Sequence, residues 1–397
     1  MDFRMPDELT ALRASFATFL DREVRPLEES LREESRREES RREGAPLEAD
    51  PVRIRDAADT VRRRAATEGF YAAHLPVEAG GQGLSTLGMV VLVEDAARSG
   101  LRLAPFAVAP PNPEGPTPLL LELPRHLWDR YLLPVVRAEQ TMCFALTEPE
   151  AGSDAQAIRT RAYRDGTEWV IEGHKHYITN AARADFALVF AVTDPEKRAA
   201  GGITAFVVPR DQFRVGPTQY TMADTHPAEL FFDAARVPED HVVGEVGTGF
   251  VTAMRFLNAG RAFIGAQCLG MAGYCLDAAV AHARTRTAFG RPLGRNQGVA
   301  FPLADSAAEL EAMRWLTYHL AWVIDTGEQP MLEASIVKLY DTETAYRIAD
   351  RCVQVFGGMG LLRQGPVEHA LRHLRMLRIV EGASEVQRLV ISRALGL

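Results

Sequence analysis

The hydrophobic pattern divides this chain into three stretches. Near the N-terminus, Leu9, Leu12, Phe16, Phe19 and Leu20 recur at the spacing that gathers side chains on one face of a helix. Residues 1–140 therefore read as a helical domain. Two turn-rich patches interrupt it: PVEAGGQG at 76–83, and APPNPEGPTP beginning at Ala109, which must be a loop. The period changes near Thr141. WVIEGHKHYIT, FALVFAV and GITAFVVP are short apolar or alternating runs rich in Val, Ile, Phe and Thr, separated by Gly, Asp and Pro. That punctuation predicts a small β-sandwich or barrel over 141–245. From about Phe250 the helical period returns and holds to Leu397, so 246–397 reads as a helical bundle. The fold class is mainly α with a central β domain. Strands and helices do not alternate, which argues against a doubly wound nucleotide fold.

Charge and composition narrow the function classes. The net charge of -8 argues against nucleic acid or an anionic membrane as the main partner. The run LREESRREESRRE predicts a solvated helix laced with i,i+4 ion pairs, or a mobile arm. Lysine occurs only at 175, 197 and 338, a bias that reads as genome composition. The first ten residues lack the apolar core of a signal or transit peptide, and no apolar stretch reads as long enough to span a bilayer. Cys143, Cys268, Cys275 and Cys352 form no CxxC, so they read as buried thiols in a reducing compartment and not as metal ligands. The expected location is cytoplasmic.

Five segments carry candidate chemistry. In CFALTEPEAGSDA (143–155) the three acids Glu148, Glu150 and Asp154 could suggest paired carboxylates, but the spacing alone is weak evidence. The better reading is a tight turn of small residues, in which backbone N–H groups and the hydroxyls of Thr147 and Ser153 approach a phosphate or planar ring. In GHKHYITNA (173–181) an extended strand would put Tyr177 and Thr179 on one face, suited to covering a flat heterocycle and bonding its edge. His174 and His176 share a face too, but lack a third ligand. RTAFGRPLGRNQ (286–297) offers Arg286 as a phosphate-binding candidate. QVFGGMG (354–360) permits close backbone approach at Gly357, Gly358 and Gly360, and is neither a P-loop nor a dinucleotide fingerprint. In RMLRIVEGASEVQRL (375–389) Glu381 sits between an apolar pair and Gly382, where desolvation would strengthen it as a base, although taken alone it reads as one solvated acid among 53. His369 and His373 read as surface residues.

Together, in this order and spacing, the five segments resemble the acyl-CoA dehydrogenase family over essentially the whole chain. The resemblance implies a helical domain, a β-sandwich or barrel and a helical bundle, with bound FAD and a homo-oligomer, usually a tetramer. It implies that an acyl-CoA or carrier-protein thioester loses an α-proton to Glu381 and a β-hydride to flavin N5, with electron-transfer flavoprotein as acceptor, in fatty acid metabolism. By the same resemblance Phe144, Leu146, Thr147, Ser153, Tyr177, Ile178 and Thr179 contact the cofactor. Arg286, Phe289, Gln297, Gln354, Gly357 and Gly358 reach the FAD of a neighbouring subunit. Ser153, Asn258, Arg261 and Gly382 line the substrate.

Some positions depart from the family pattern. Tyr177 stands where Trp is common, Ala383 where Thr often follows, and His373 and Gln364 where acids are frequent. Asn258 and Gly260 are unusual before Arg261. These changes leave the flavin segments intact and bear on the substrate. An acyl-CoA oxidase or a flavin monooxygenase on the same scaffold is the alternative reading. Glu381 disfavours the monooxygenase, which needs no α-proton base.

Overall fold

The computed structural model describes residues 4–39, 51–110 and 114–397. The helices are α1 (Asp7–Phe19), α2 (Arg25–Glu39), α3 (Pro51–Thr67), α4 (Thr86–Arg98), α5 (Leu133–Val136), α6 (Gly249–Thr285), α7 (Gln297–Asp325), α8 (Met331–Phe356), α9 (Glu368–Leu377) and α10 (Ser384–Ala394). The strands are β1 (Met142–Ala145), β2 (Arg161–Asp165), β3 (Glu168–Ile178), β4 (Phe186–Val192), β5 (Ile203–Pro209), β6 (Arg214–Val215), β7 (Ala228–Pro238), β8 (Val242–Val243), β9 (Thr287–Ala288) and β10 (Arg291–Pro292). Along the chain the order is helical, β, helical. In packing, the chain forms two compact units: residues 1–70, 84–108 and 259–397 make one, and 71–83 with 109–258 make the other. The two helical stretches share one unit because each has an apolar face that needs a helical partner.

In the helical unit, α8 is the central element, packed by α7, α9 and α10, while α4 packs on α7. The predicted face of α1 is used: Phe16 and Phe19 are buried and meet Phe70 at ring-centroid distances of 5.0 and 5.2 Å. Helix α4 crosses α6 so closely that a Cβ on Gly270 would stand 2.4 Å from the Glu94 carbonyl. By length and composition α6 is long and apolar enough to cross a bilayer, which corrects the sequence expectation. Ile264, Cys268, Leu269 and Ala272 of that helix are buried in the helical core, and a core helix has the same composition as a membrane span. The charge run is helical as far as Glu39, with Arg32 pairing back to Glu28 at 2.5 Å. Its remainder lies outside the described residues, as do residues 111–113 of the Ala109 loop.

In the other unit, β1–β8 form one sheet in the order β6-β7-β3-β2-β4-β5-β8, with β1 parallel to β4. The sheet curls: Trp169 on β3 and Phe206 on β5, which are not neighbours in the sheet, meet edge-on at 5.3 Å. Strand β4 is buried on both faces. Ala187, Val189 and Ala191 face the inside of the curl, and Phe186, Leu188 and Phe190 face the core made with Leu127, Trp128 and Tyr131. Burial on two sides explains why FALVFAV is a continuous apolar run rather than an alternating one.

Candidate active site

Each unit carries part of the predicted chemistry. In the β-containing unit the chain leaves β1 and turns sharply between Glu148 and Ala151, whose backbones exchange hydrogen bonds of 3.2 and 3.1 Å. The Glu148 carboxylate is turned inward. It accepts the N–H groups of Arg159 at 2.6 Å and Thr160 at 3.0 Å, and the Lys175 ammonium at 2.7 Å. Lys175, from β3, is fully buried and also donates to the Leu146 carbonyl at 2.9 Å. One buried ammonium thus ties the entry to the turn, at Leu146 and Glu148, to β3. Burial pulls Lys175 down to about 8, with Glu148 opposing, so it remains a cation at neutral pH. Burial by itself would raise Glu148, but Lys175 and the N–H donors hold it below the usual carboxylate range. Glu150 instead pairs at the surface with Arg159 at 2.5 Å, so these acids are not a catalytic pair.

Beside this turn lies the end of β3, where the His176 N–H donates to the Thr147 carbonyl at 2.9 Å. The expected alternation fails here. A bulge interrupts the pairing between Lys175 and Ile178, Tyr177 adopts a left-handed φ of 55°, and Thr179 lies beyond the strand in a turn. Tyr177 and Thr179 therefore do not share a strand face. The left-handed backbone turns the Tyr177 ring outward, 62% exposed and stacked on His176 at 3.9 Å. Leu146 and Ile178 are buried, and half-buried Phe144 packs on Phe190 and Phe256, so those three side chains serve the core. Ser153 is exposed, and a Cβ on Gly152 would meet nothing within 4 Å. An outward aromatic face, open small residues and the hydroxyls of Thr147, Ser153 and Thr179 fit a flat, phosphate-bearing cofactor. His174 and His176 lie 3.4 and 3.6 Å from one Glu229 oxygen, and the described residues hold no metal-binding cluster.

In the helical unit Glu381 lies in the turn between α9 and α10. The turn is clamped to its surroundings: Gln387 donates to the Gly382 carbonyl at 2.8 Å, Ser384 to Glu343 at 2.7 Å, and Arg378 pairs with Glu343 at 2.8 Å. Both Glu381 (φ 55°) and Gly382 (φ 93°) are left-handed, a costly backbone for Glu that the clamp sustains. The residue is half-buried, but its Oε2 is withdrawn from solvent and has no hydrogen-bond partner. From α6, a Cβ on Gly260 would stand 3.4 Å from that oxygen, and Arg261 Nη2 lies 3.5 Å from a Cβ on Gly382. Burial drives the Glu381 carboxyl up to about 7, with Arg261 and Lys338 opposing. A carboxyl balanced near neutrality can hold or release a proton at little cost.

The remaining candidates lie together on this unit's surface. Arg286 follows α6, Phe289 tips the β9–β10 hairpin with its ring 99% exposed, and Gln297 opens α7. Gln354, Gly357 and Gly358 are exposed at the end of α8. The His282 and Phe356 rings meet at 4.6 Å, tilted by 31°, and join the two ends. Asn258 belongs to the β-containing unit, Arg261 and Gly382 to the helical one. His369 and His373 are half-buried on α9, not surface residues as expected. Sequence reasoning passed over Lys175, Lys338, Asp341 and Gln387. The available signal was rarity: two of three lysines in the chain sit within apolar or alternating runs.

Comparison with known proteins agrees with this arrangement. Residues 6–112, 143–235 and 247–396 match the N-terminal, middle and C-terminal domains of acyl-CoA dehydrogenase. A probable acyl-CoA dehydrogenase of Mycobacterium leprae is 35% identical over 99% of this chain and 96% of its own length. The structure of butyryl-CoA dehydrogenase from Megasphaera elsdenii superposes with a TM-score of 0.84 at 29% identity, covering 100% of both chains. A glutaryl-CoA dehydrogenase of Mycobacterium smegmatis in complex with FADH2 superposes with a TM-score of 0.83 at 25% identity, over 98% of this chain and 95% of that one.

Proposed function

The chain belongs to the acyl-CoA dehydrogenase family, and from that premise we propose that Glu381 is the base that takes the α-proton from the acyl thioester. The observation that carries this is the Glu381 carboxylate itself: withdrawn from water, without a hydrogen-bond partner at Oε2, and balanced at about 7. A thioester α-proton is weakly acidic, and a desolvated carboxylate is a stronger base than a hydrated one. The clamped turn fixes the carboxylate, which removes much of the entropic cost of meeting the α-carbon. Gly260 keeps the space beside it clear of a side chain.

We further propose FAD as the cofactor, held by Thr147, Ser153, Tyr177 and Thr179 in one subunit and by Arg286, Phe289, Gln297, Gln354, Gly357 and Gly358 of a neighbour. When bound, it would supply the acceptor for the hydride leaving the β-carbon. The outward Tyr177 ring and the exposed Arg286–Gly358 surface support this division. An oligomer, with a tetramer as the family norm, follows from the same reading. Electron-transfer flavoprotein is the proposed acceptor and a CoA thioester the proposed substrate. The four buried cysteines, none in a disulfide, suit a cytoplasmic location.

The test is Glu381→Gln, which keeps shape and polarity but accepts no proton at neutral pH. It should bind FAD and an acyl-CoA normally, while anaerobic flavin bleaching slows by about 10²–10⁴-fold, the usual range for loss of a general base. Bleaching at the wild-type rate would assign the base to another residue.

A further inference from the structure

We propose that Lys338 is a positioning residue for the base: an unpaired ammonium buried in α8 whose field holds Glu381 in the carboxylate form. This deepens the reading of Glu381 as base and rests on it.

Helices α6, α7 and α8 meet at Gly265. A Cβ there would stand 2.6 Å from Thr317 Oγ1, 2.7 Å from Val337 Cγ1 and 3.0 Å from Asp341 Oδ2. Helix α8 brings Asp341 into this junction and carries Lys338 one turn before it, both with 0% exposure. They do not satisfy each other. Thr317 donates to Asp341 Oδ2 at 2.6 Å, while Asp341 Oδ1 and Lys338 Nζ have no hydrogen-bond partner. Burying an ammonium without an acceptor costs stability. An apolar residue would fill this site at less cost, so the charge needs another explanation.

Its electrostatic neighbours provide one. Burial pulls Lys338 down to about 8, and Cys268, Glu381 and Glu343 oppose that while Arg261 adds to it. Asp341 is pushed well above its ordinary value by burial, which disfavours the charge that would cancel the ammonium's field. Helix α6 reaches Glu381 at Gly260 and packs on α8 at Gly265, and α8 holds the Glu381 turn through Glu343, so the cations that act on Glu381 are Arg261 from α6 and Lys338 from α8. The charges flanking it on its own side are already engaged: Arg378 with Glu343, and Arg388 of α10 with Glu385. Without Lys338, burial would push Glu381 further up, and less of it would be the carboxylate the reaction needs.

The experiment is carbon-13 NMR of the FAD-loaded enzyme carrying labelled Glu carboxyls and labelled Lys ε-carbons, the latter giving only three lysine signals. The Glu381 signal is the one missing from Glu381→Gln. In Lys338→Met its midpoint should rise by about one unit, a ten-fold loss of carboxylate below that pH. The rising limb of the flavin-bleaching pH profile should move by the same amount. Asp341→Asn should leave the midpoint in place. If Lys338→Met does not fold, wild type still decides: a buried lysine ionising near pH 8 should give the Glu381 signal a second inflection at that pH. An unmoved midpoint in Lys338→Met, no second inflection in wild type, or a lowered midpoint in Asp341→Asn would each overturn the proposal. Normal bleaching by Glu381→Gln would refute only the assignment of the base, because the coupling between the two signals is read without turnover.

Discussion

Replacing Lys175 by Met should unmoor the Glu148–Ser153 turn, and the structure sets the size of the effect. The substitution removes a 2.7 Å ion pair and a 2.9 Å bond to the Leu146 carbonyl inside a fully buried site. Glu148 keeps its two N–H donors from Arg159 and Thr160, so it is not left without partners. It must nevertheless stay charged in the interior without its cation, or take up a proton. At pH 7 protonating an ordinary glutamate costs about 3–4 kcal/mol, which sets the scale of the loss and agrees with the usual cost of breaking a buried pair. The reverse change, Glu148→Gln, should cost less on the charge side. Burial already pulls Lys175 down to about 8 against the opposing effect of Glu148, so without that carboxylate the lysine gives up its proton readily.

The pH dependence separates this account from simple loss of packing. In wild type Glu148 is held low, so its contribution is present above the ordinary carboxylate value and fades as pH falls through the folded value. In Lys175→Met the folded Glu148 is raised, so stability is lost as pH rises through the window above its ordinary value. The gap between the two proteins should be largest near pH 7 and shrink towards pH 5. Urea denaturation followed by tryptophan fluorescence measures it, because Trp169 lies in the β core. FAD retention should fall with the turn. Stability within about 0.5 kcal/mol of wild type, or a gap that does not vary with pH, would refute the reasoning.

Arg286→Ala should keep its fold and lose FAD, since the residue is exposed; flavin content and light scattering check this, and a monodisperse, fully loaded monomer would contradict the shared site. Gly265→Ala should destabilise the helical unit by about 1–3 kcal/mol through overpacking against Thr317 and Val337, read by urea denaturation; an unchanged midpoint would show that α6 moves aside freely.

The sequence alone determined the order of helical and β stretches, the face of α1, and the segments that hold the chemistry. These depend on neighbours in the chain: helical spacing, strand punctuation, and small residues in a turn act locally. It singled out Glu381 only together with the other four segments in the family's order and spacing, because Glu172 likewise follows two apolar residues and precedes a glycine. Tertiary structure decided what each charge does. Glu148, Glu150 and Asp154 look alike in sequence, but only Glu148 meets a buried lysine, and that lysine arrives from β3, 27 positions away. Tyr177 left the strand face predicted for it because pairing with β7 introduces a bulge, which is a property of two strands and not of one. Lys338 and Asp341 passed unnoticed in an amphipathic helix, since an isolated helix has a wet side for them. Only the approach of α6 and α7 at Gly265 removes that water, and burial rather than residue type sets the charge state there.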